Sequence, residues 1–327
     1  MPRVSVIVPC FNEQATIQLL LEAIYTQTYR RDDIEVIIAD GMSEDQTRQR
    51  IAEFQVRHPD LDIQVVDNPR RNIPAGLNCA IRAAQGEIII RLDAHCMPRP
   101  DYIIGCISAL EQGKGDNVGG VWEIQPGGAG WQARAIAVAA AHPLGVGDAS
   151  YRYTETAQQV DTVPFGAYRR SLVEKIGFYD ENLLTNEDYE FNVRVRQSGG
   201  TVWLDPAIRS AYFARDTLIG LIRQYARYGH WKARMLRRYP GTLRWRQALP
   251  PAFVASVLIS GLLALFFPIF GVLFVIELCA YALILLLAGF SSAWKHSDPA
   301  LVPGVPLAIA SMHLAWGSAF LWSIFVR

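Results

Sequence analysis

Apolar runs alternate with amphipathic stretches over the N-terminal part of this chain. Continuous runs rich in β-branched residues predict strands covered on both faces at residues 4–8, 34–39, 63–66 and 87–92. The stretches between them predict helices at residues 14–27, 45–56 and 74–85. Ser43, Glu44, Asp45 and Gln46 suit a capping box before the second helix. Such alternation is typical of an α/β domain with a mostly parallel sheet.

The pattern changes near the C-terminus. Residues 252–290 are almost wholly apolar, interrupted by Pro268, Gly271 and Glu277, and are about twice as long as one membrane-spanning helix requires. We predict a helical hairpin that turns near residues 268–271. After a polar break, residues 302–326 predict a third span, with Trp316 and Trp322 as interface anchors. The alternative is a buried hairpin in a soluble protein.

The orientation in the membrane follows from the basic residues. The segment 223–246 carries eight Arg and Lys residues and no Asp or Glu, and Lys295 follows the predicted hairpin. Positive charge favours the cytoplasmic side, and the first residues lack the features of a signal peptide. The sequence therefore predicts a multi-pass protein of the cell inner membrane, with its N-terminal domain in the cytoplasm.

Length, charge and cysteine spacing narrow the class of protein further. The 327 residues accommodate one large domain with an attachment, predicted as residues 1–215, a basic interfacial segment at 216–250 and spans at 251–327. The 31 basic and 31 acidic residues balance, which argues against a nucleic-acid partner. Five cysteines without a CxxC pair indicate neither a disulfide framework nor a zinc site.

Polar residues follow each predicted strand, at the edge of the sheet where α/β proteins bind ligands. Neither a GxGxxG after the first strand nor a GxxxxGK[ST] anywhere is present, so a divalent cation and arginines would meet any phosphate charge. Asp93 and His95 are spaced to ligate Mn²⁺ or Mg²⁺, although Asp93 alone also suits a turn. The carboxylate of Asp40 is placed either to accept a hydrogen bond from the N–H of a nucleobase or to start a turn.

Glu187 and Asp188 precede the predicted helix at residues 189–197. Carboxylates in a first turn stabilise the helix dipole, which is one explanation for both. The other is that Asp188 is a general base that takes the proton of an acceptor hydroxyl. The loop at residues 161–170 lines an acceptor site or is a simple connection.

These segments together resemble family 2 glycosyltransferases of the GT-A fold, and in particular the succinoglycan-biosynthesis type. The resemblance covers roughly residues 3–240. The motifs that carry it are Val4-Ser-Val-Ile-Val-Pro-Cys-Phe-Asn-Glu13, Ile38-Ala-Asp40-Gly-Met-Ser43, Asn78, Arg91-Leu-Asp-Ala-His95, Val163-Pro-Phe-Gly-Ala-Tyr-Arg169, Asn186-Glu-Asp188 and Gln224-Tyr-Ala-Arg227-Tyr228.

The resemblance implies a role for each motif. The donor would be a nucleotide diphosphate sugar, and the acceptor a saccharide on polyprenyl diphosphate. Asp188 would be the catalytic base, and Asp93 would meet the metal and the diphosphate. The remaining donor-binding residues would be Pro9, Asn12, Glu13, Asp40, Asn78, Gln224, Arg227 and Tyr228.

Two departures from the family pattern affect these expectations. His95 replaces the second Asp of the usual DxD, and Tyr228 replaces the Trp of a QxxRW element. Transfer to polyprenyl phosphate, a processive synthase and a non-catalytic nucleotide-sugar scaffold are the rival functions. A dimer or partner chain would have to supply further spans for a processive channel.

Overall fold

The computed structural model describes residues 3–326. Packing divides the chain into two compact units. The first contains the chain up to Glu123 together with Tyr153–Tyr212. The second contains Ile124–Arg152 together with the residues from Phe213 onward.

Parallel strands form one half of the sheet, in the order β3, β2, β1, β4. Every residue of β2 and β4 is buried, because helices cover both faces of this half of the sheet, and most of these residues are apolar. The strands are β1 (Val4–Cys10), β2 (Ile34–Asp40), β3 (Asp62–Asp67) and β4 (Ile88–Arg91). The connecting helices are α1 (Ile17–Tyr25), α2 (Thr47–Arg57) and α3 (Ile73–Ala83).

Antiparallel pairing extends the sheet beyond β4 in the order β8, β6, β9, β5, and β7 pairs with β9. The sheet is therefore mixed, with its parallel part confined to β1–β4. The later strands are β5 (Met97–Pro98), β6 (Asn117–Gln125), β7 (Gln158–Gln159), β8 (Ala167–Arg169) and β9 (Val202–Phe213). Helices α4 (Tyr102–Glu111), α7 (Arg170–Ile176) and α8 (Glu187–Gln197) complete the first unit.

The second unit is helical. The long helix α12 contacts the other helices of this unit, which are α5, α6, α9, α10 and α11. The helices are α5 (Trp131–Ala141), α6 (Pro143–Val146), α9 (Leu218–Arg238), α10 (Trp245–Leu263), α11 (Pro268–His296) and α12 (Leu301–Phe325). Of these, α10, α11 and α12 are long and apolar enough to cross a membrane.

One stretch of chain lies in a different unit from the one the sequence predicts. Residues 124–152 fall within the predicted catalytic domain, but α5 and α6 group with the C-terminal helices. Close contacts explain this, since Gly304 of α12 lies against Ala135 and Gly145 lies against Met312. Periodicity reports that a helix has an apolar face, but not which distant helix covers it.

Most of the predicted elements are confirmed, with ends shifted by a few residues. Strands β1–β4, helices α1–α3, the first-turn position of Glu187 and Asp188, and the hairpin are present. The hairpin turns at residues 264–267, just before Pro268. The capping box is wrong, because α2 begins at Thr47 and Ser43 instead bonds Asp40.

Candidate active site

The backbone turns sharply where β1, β2 and β3 end. Asn12, Met42 and Arg71, which follow these strands, have φ values of 54°, 61° and 52°, and Asn186 before α8 has a φ of 68°. Residues other than glycine rarely adopt this left-handed conformation, and where they do the strain often marks a functional site. The carboxyl edge of the parallel strands is therefore the candidate site.

The loops after β1 and β2 hold each other in place. The backbone N–H of Asn12 donates to Ser43 Oγ at 2.8 Å, and Asn12 Oδ1 accepts from the N–H of Glu44 at 2.9 Å. Glu13 donates its backbone N–H to Thr47 Oγ1 at 2.8 Å. The predicted donor-binding residues Asn12 and Glu13 thus lie in a rigid loop. Pro9 lies in β1 beyond the last residue paired with β4. Its lack of an N–H therefore costs no hydrogen bond between these strands.

Asp40 is fully buried at the end of β2, so its carboxylate needs partners. Ser43 donates to it from its backbone N–H at 3.1 Å and its hydroxyl at 2.5 Å. Arg48 Nε donates at 2.5 Å, while Nη2 of the same guanidinium donates to Asp67 Oδ1 at 2.5 Å. These bonds to Asp67 and Asp40 raise the pKa of Arg48. Arg48 therefore joins the ends of β2 and β3.

A buried arginine organises the end of β4. Arg91 is 2% exposed, and its guanidinium contacts three carboxylates that we call the Arg91 cluster: Asp93, Glu187 and Asp188. Nη2 lies 3.1 Å from Asp93 Oδ1 and 2.9 Å from Glu187 Oε1, and Nη1 donates to Asp188 Oδ1. Burial opposes the charged form, but the attraction of the three carboxylates outweighs it and raises the pKa of Arg91. The cluster connects the end of β4 to the first turn of α8.

The carboxyl group of Asp188 is suited to take up a proton near neutral pH. Burial raises its pKa to about 7; Arg91 opposes this shift, and the carboxylates of Glu187 and Asp93 add to it. A pKa near the working pH is what a general base requires. Asp188 also lies in the first turn of α8, where its negative charge interacts favourably with the positive end of the helix dipole.

The residues predicted to bind a metal fit that role only in part by themselves. Both contacts from Arg91 reach Oδ1 of Asp93 and not its second oxygen. His95 Nδ1 lies 3.0 Å from Glu13 Oε1, and in the tautomer that donates this bond Nε2 carries a lone pair, as in metal-binding histidines. Within residues 3–326 no group of three or more His, Cys, Asp or Glu side chains is arranged to hold a metal ion.

The amide of Asn78 is engaged inside the protein. Its Nδ2 donates to the carbonyl of Tyr179 at 2.9 Å and to Glu181 Oε1 at 2.8 Å, while its Oδ1 accepts from the N–H of Tyr179 at 2.9 Å. Asn78 is 1% exposed. It therefore anchors the loop at Tyr179, and its predicted contact with the donor stays a prediction.

The QxxRY element lies on α9 of the second unit. Gln224 is buried and donates to Tyr228 Oη at 3.1 Å, whereas Arg227 is exposed. The structure thus brings Gln224 and Tyr228 together on successive turns. Their predicted contact with the donor diphosphate or acceptor stays a prediction.

Arg91 and Arg48 organise the site although neither has a predicted role. A signal for Arg91 was present, because an arginine that interrupts a buried apolar run requires charged partners. Arg48 lies on α2, which carries many other polar side chains, so the local sequence does not distinguish it from an ordinary surface arginine. Its role depends on the neighbouring ends of β2 and β3.

The chain is similar to known proteins along most of its length. The profile of Glycosyl transferase family 2 matches residues 5–177. The "Succinoglycan biosynthesis protein ExoA" of Rhizobium meliloti is 28% identical over 317 residues, covering 96% of this chain and 93% of that protein. The "Dolichyl N-acetyl-alpha-D-glucosaminyl phosphate 3-beta-D-2,3-diacetamido-2,3-dideoxy-beta-D-glucuronosyltransferase" of Methanococcus voltae is 29% identical over 267 residues, covering 80% and 82%.

The fold is also that of solved glycosyltransferases. The mannosyltransferase PcManGT of Pyrobaculum calidifontis, solved with GDP-Man and Mn²⁺, superposes with a TM-score of 0.62 at 22% identity, covering 98% of this chain and 87% of that one. This likeness supports a GT-A-type fold. Since the family profile matches more than half of the chain, this protein belongs to glycosyl transferase family 2 and is a glycosyltransferase with a GT-A-type fold and apolar C-terminal helices.

Proposed function

We propose that this enzyme transfers a sugar from a nucleotide diphosphate sugar to a saccharide linked to polyprenyl diphosphate, with inversion at the anomeric carbon. The observation that carries the proposal is the Arg91 cluster, in which one guanidinium contacts both Asp93 and Asp188. Asp93 is the predicted ligand of the metal and diphosphate, and Asp188 is the predicted base. Their shared partner holds both groups at one edge of the sheet.

The relatives support a lipid-linked acceptor in extracellular polysaccharide synthesis. The Rhizobium meliloti relative matches nearly the whole chain and is a succinoglycan biosynthesis protein. The name of the Methanococcus voltae relative describes transfer to a sugar on dolichyl phosphate. The apolar helices would hold the enzyme at the membrane that contains such acceptors. The basic segment at residues 223–246 supports the cytoplasmic face of the inner membrane.

In the proposed reaction the oxygen of an acceptor hydroxyl forms a bond to the anomeric carbon. The bond from that carbon to the diphosphate breaks, and the nucleoside diphosphate leaves with the electron pair. The hydroxyl proton passes to the carboxylate of Asp188, whose raised pKa suits it to hold a proton. Arg91 orients that carboxylate.

The donor would be held by residues of the first unit. Asn12, Glu13 and Asp40 lie in the loops that would surround the nucleoside, and Arg48 orients Asp40. Asp93 and His95 would hold a divalent cation, and the carboxylate and imidazole donors fit Mn²⁺ or Mg²⁺ with diphosphate completing the ligand set. When bound, such a cation stabilises negative charge on the departing diphosphate.

The experiment that tests the proposal uses the full-length protein in lipid nanodiscs. Radiolabelled nucleotide sugars are supplied one at a time, together with a lipid extract that contains polyprenyl-diphosphate saccharides. The expected product is a label in the organic phase that mild acid releases as an oligosaccharide one sugar longer.

Two results would contradict the proposal. One is a label that is released as a single sugar, which indicates transfer to polyprenyl phosphate itself. The other is nucleotide-sugar binding without lipid-soluble product for any donor, which indicates a non-catalytic scaffold.

A further inference from the structure

The three long apolar helices differ in how the protein covers them. Within the most apolar part of each, 6% is buried for α11 and 11% for α10, but 33% for α12. The surface of α11 is typical of a helix surrounded by lipid, whereas α12 has protein on several sides. The neighbours of α12 therefore decide its place relative to a membrane.

The first turns of α9 and α12 both contact α5. The backbone N–H of Leu218 in α9 lies 3.4 Å from Oε1 of Gln132 in α5. Gly304 in α12 approaches Ala135 in α5 so closely that an added Cβ would lie 2.6 Å from the Ala135 side chain. The two helices therefore start at the same end of the second unit.

The two helices stay together to their last turns. Gly229 of α9 lies against the backbone of Trp316, since an added Cβ would be 2.4 Å from the Trp316 oxygen. Further along, Arg237 Nη2 donates to the carbonyl of Ser323 at 2.8 Å, and His230 Nδ1 lies 2.6 Å from Ser323 Oγ. Helices α9 and α12 thus run side by side, in the same direction, along nearly the whole length of α12.

The outer face of α9 is basic over this whole length. Helix α9 buries residues such as Leu221, Tyr225 and Ala233. Exposed arginines line one face of it from the second turn to the last: Arg223, Arg227, Arg234 and Arg238. A row of arginines in hydrocarbon is strongly unfavourable. Helix α9 therefore belongs at the membrane surface, and a helix packed along its length belongs there too.

The exposed surface of α12 matches that position. Most of its exposed apolar side chains recur on one face, namely Leu307, Leu314, Trp322 and Phe325, while Ile324 is exposed beside that face in the last turn. The remaining faces contact α5, α6, α9, α10 and α11. A helix with one apolar stripe and protein on its other sides is suited to lie in the interface plane.

The hairpin of α10 and α11 has a different surface. Large apolar side chains are exposed all along it, including Leu258, Phe266 and Leu287. At its turn the backbone N–H groups of residues 264–267 all donate within the chain, and Pro268 has none, so the turn tolerates hydrocarbon. Trp245 and Trp294 are exposed at its two ends, as interface anchors would be.

We propose that α12 lies in the membrane interface beside α9, that only the α10–α11 hairpin enters the hydrocarbon, and that the end of α12 is on the same side of the membrane as α9. The partner of this surface is a bilayer with anionic headgroups, which the arginines of α9 would bind. The three spans that composition indicates would instead put the end of α12 on the opposite side.

The depth of α12 in the bilayer tests the proposal. Leu307→Cys, Leu314→Cys and Trp322→Cys are made singly in a full-length Cys279→Ser background, spin-labelled and reconstituted in phosphatidylcholine vesicles with phosphatidylglycerol. Accessibility to oxygen and to a water-soluble nickel chelate reports depth. We expect the three positions to be equally shallow, and Ile276→Cys in α11 to be deep. A Leu314 label much deeper than those at Leu307 and Trp322 would overturn the proposal.

A second measurement tests the side of the membrane. Val326→Cys and Asp216→Cys, in the same background, are treated with a membrane-impermeant maleimide in sealed vesicles. We expect the two cysteines to be labelled from the same side. Labelling of Val326→Cys only from the side opposite Asp216→Cys would overturn the proposal. In the depth measurement, spin labels on α12 that are shielded from both oxygen and the nickel chelate would also overturn the proposal, because they would show that a second copy of the chain covers the exposed face of α12. None of these readouts depends on catalytic activity.

Discussion

Arg91 is the side chain on which the candidate active site depends most. It is buried, so each of the three carboxylates around it both satisfies its charge and is held by it. Removing one member of a buried ion cluster typically costs about 3–5 kcal/mol, because a charge remains without a partner. The positions of the predicted base and metal ligand are therefore coupled through one guanidinium.

The role of Asp188 is tested by Asp188→Asn, which keeps the shape of the side chain but removes its basicity. If Asp188 is the base, transfer to a sugar hydroxyl should fall by about 10²-fold or more, while donor affinity stays nearly unchanged, because proton transfer matters only in the transition state. Turnover with radiolabelled donor and donor binding by calorimetry measure the two effects.

Glu187→Gln is the matched control. It removes a carboxylate from the same turn of α8 and from the same arginine, but not from the predicted base position. We expect a smaller loss of turnover than in Asp188→Asn. Equal losses in the two variants would mean that the carboxylates serve only the helix and Arg91.

The raised pKa of Asp188 predicts a pH dependence. The base must be ionised, and its pKa of about 7 means that kcat should fall about tenfold per pH unit as the pH drops below that value. Asp188→Asn should lose this acidic limb. A wild-type kcat that stays constant from about pH 5.5 to about pH 8 would be incompatible with Asp188 as the base.

Asp93 should act on donor binding and not on proton transfer. We expect Asp93→Asn to weaken Mn²⁺-dependent binding of the donor about tenfold or more, because a carboxylate ligand is lost. Calorimetric titrations with and without chelator measure this, and Asp101→Asn, at an exposed position before α4, is the control. Full activity of chelator-treated wild-type enzyme would remove the metal role of Asp93 and His95.

At the scale of elements, the pairing of α9 with α12 depends on the absence of a side chain at Gly229. An added Cβ would lie 2.4 Å from the carbonyl oxygen of Trp316, so the helices would have to separate. We expect Gly229→Ala to destabilise the protein by about 1–3 kcal/mol, the usual range for overpacking, and to lower the melting temperature in detergent.

Gly241→Ala is the control for this effect, since nothing lies within 4 Å of an added Cβ there. It should change stability by less than about 0.5 kcal/mol. If the two alanine variants melted at the same temperature, the close approach of α9 and α12 would not exist in solution.

At the scale of the whole molecule, the C-terminal helices attach the protein to the membrane and also pack against α9. Helix α12 packs against α9 at Gly229, so a chain cut after Gln247 would uncover that part of α9. We expect the truncated protein to aggregate, and the full-length protein to remain in the membrane pellet after a carbonate wash. Full-length protein that is soluble without detergent or lipid would contradict the membrane assignment.

The sequence by itself determined the elements and their class. Continuous apolar runs predict β1–β4, amphipathic stretches predict α1–α3, and a long uncharged stretch predicts the hairpin, because each of these patterns depends on residues close together in the chain. The family motifs, from Asn12 to Asp188, also lie in short segments. The fold and the enzyme class therefore follow from local information.

Only the tertiary structure decided which of these segments meet. Arg91 and Asp188 are far apart in sequence, and only the order of strands and the position of α8 bring them together. The grouping of residues 124–152 with the C-terminal helices and the pairing of α9 with α12 have the same origin. An apolar or charged face specifies that a partner is needed, but the partner is chosen by packing across the whole chain.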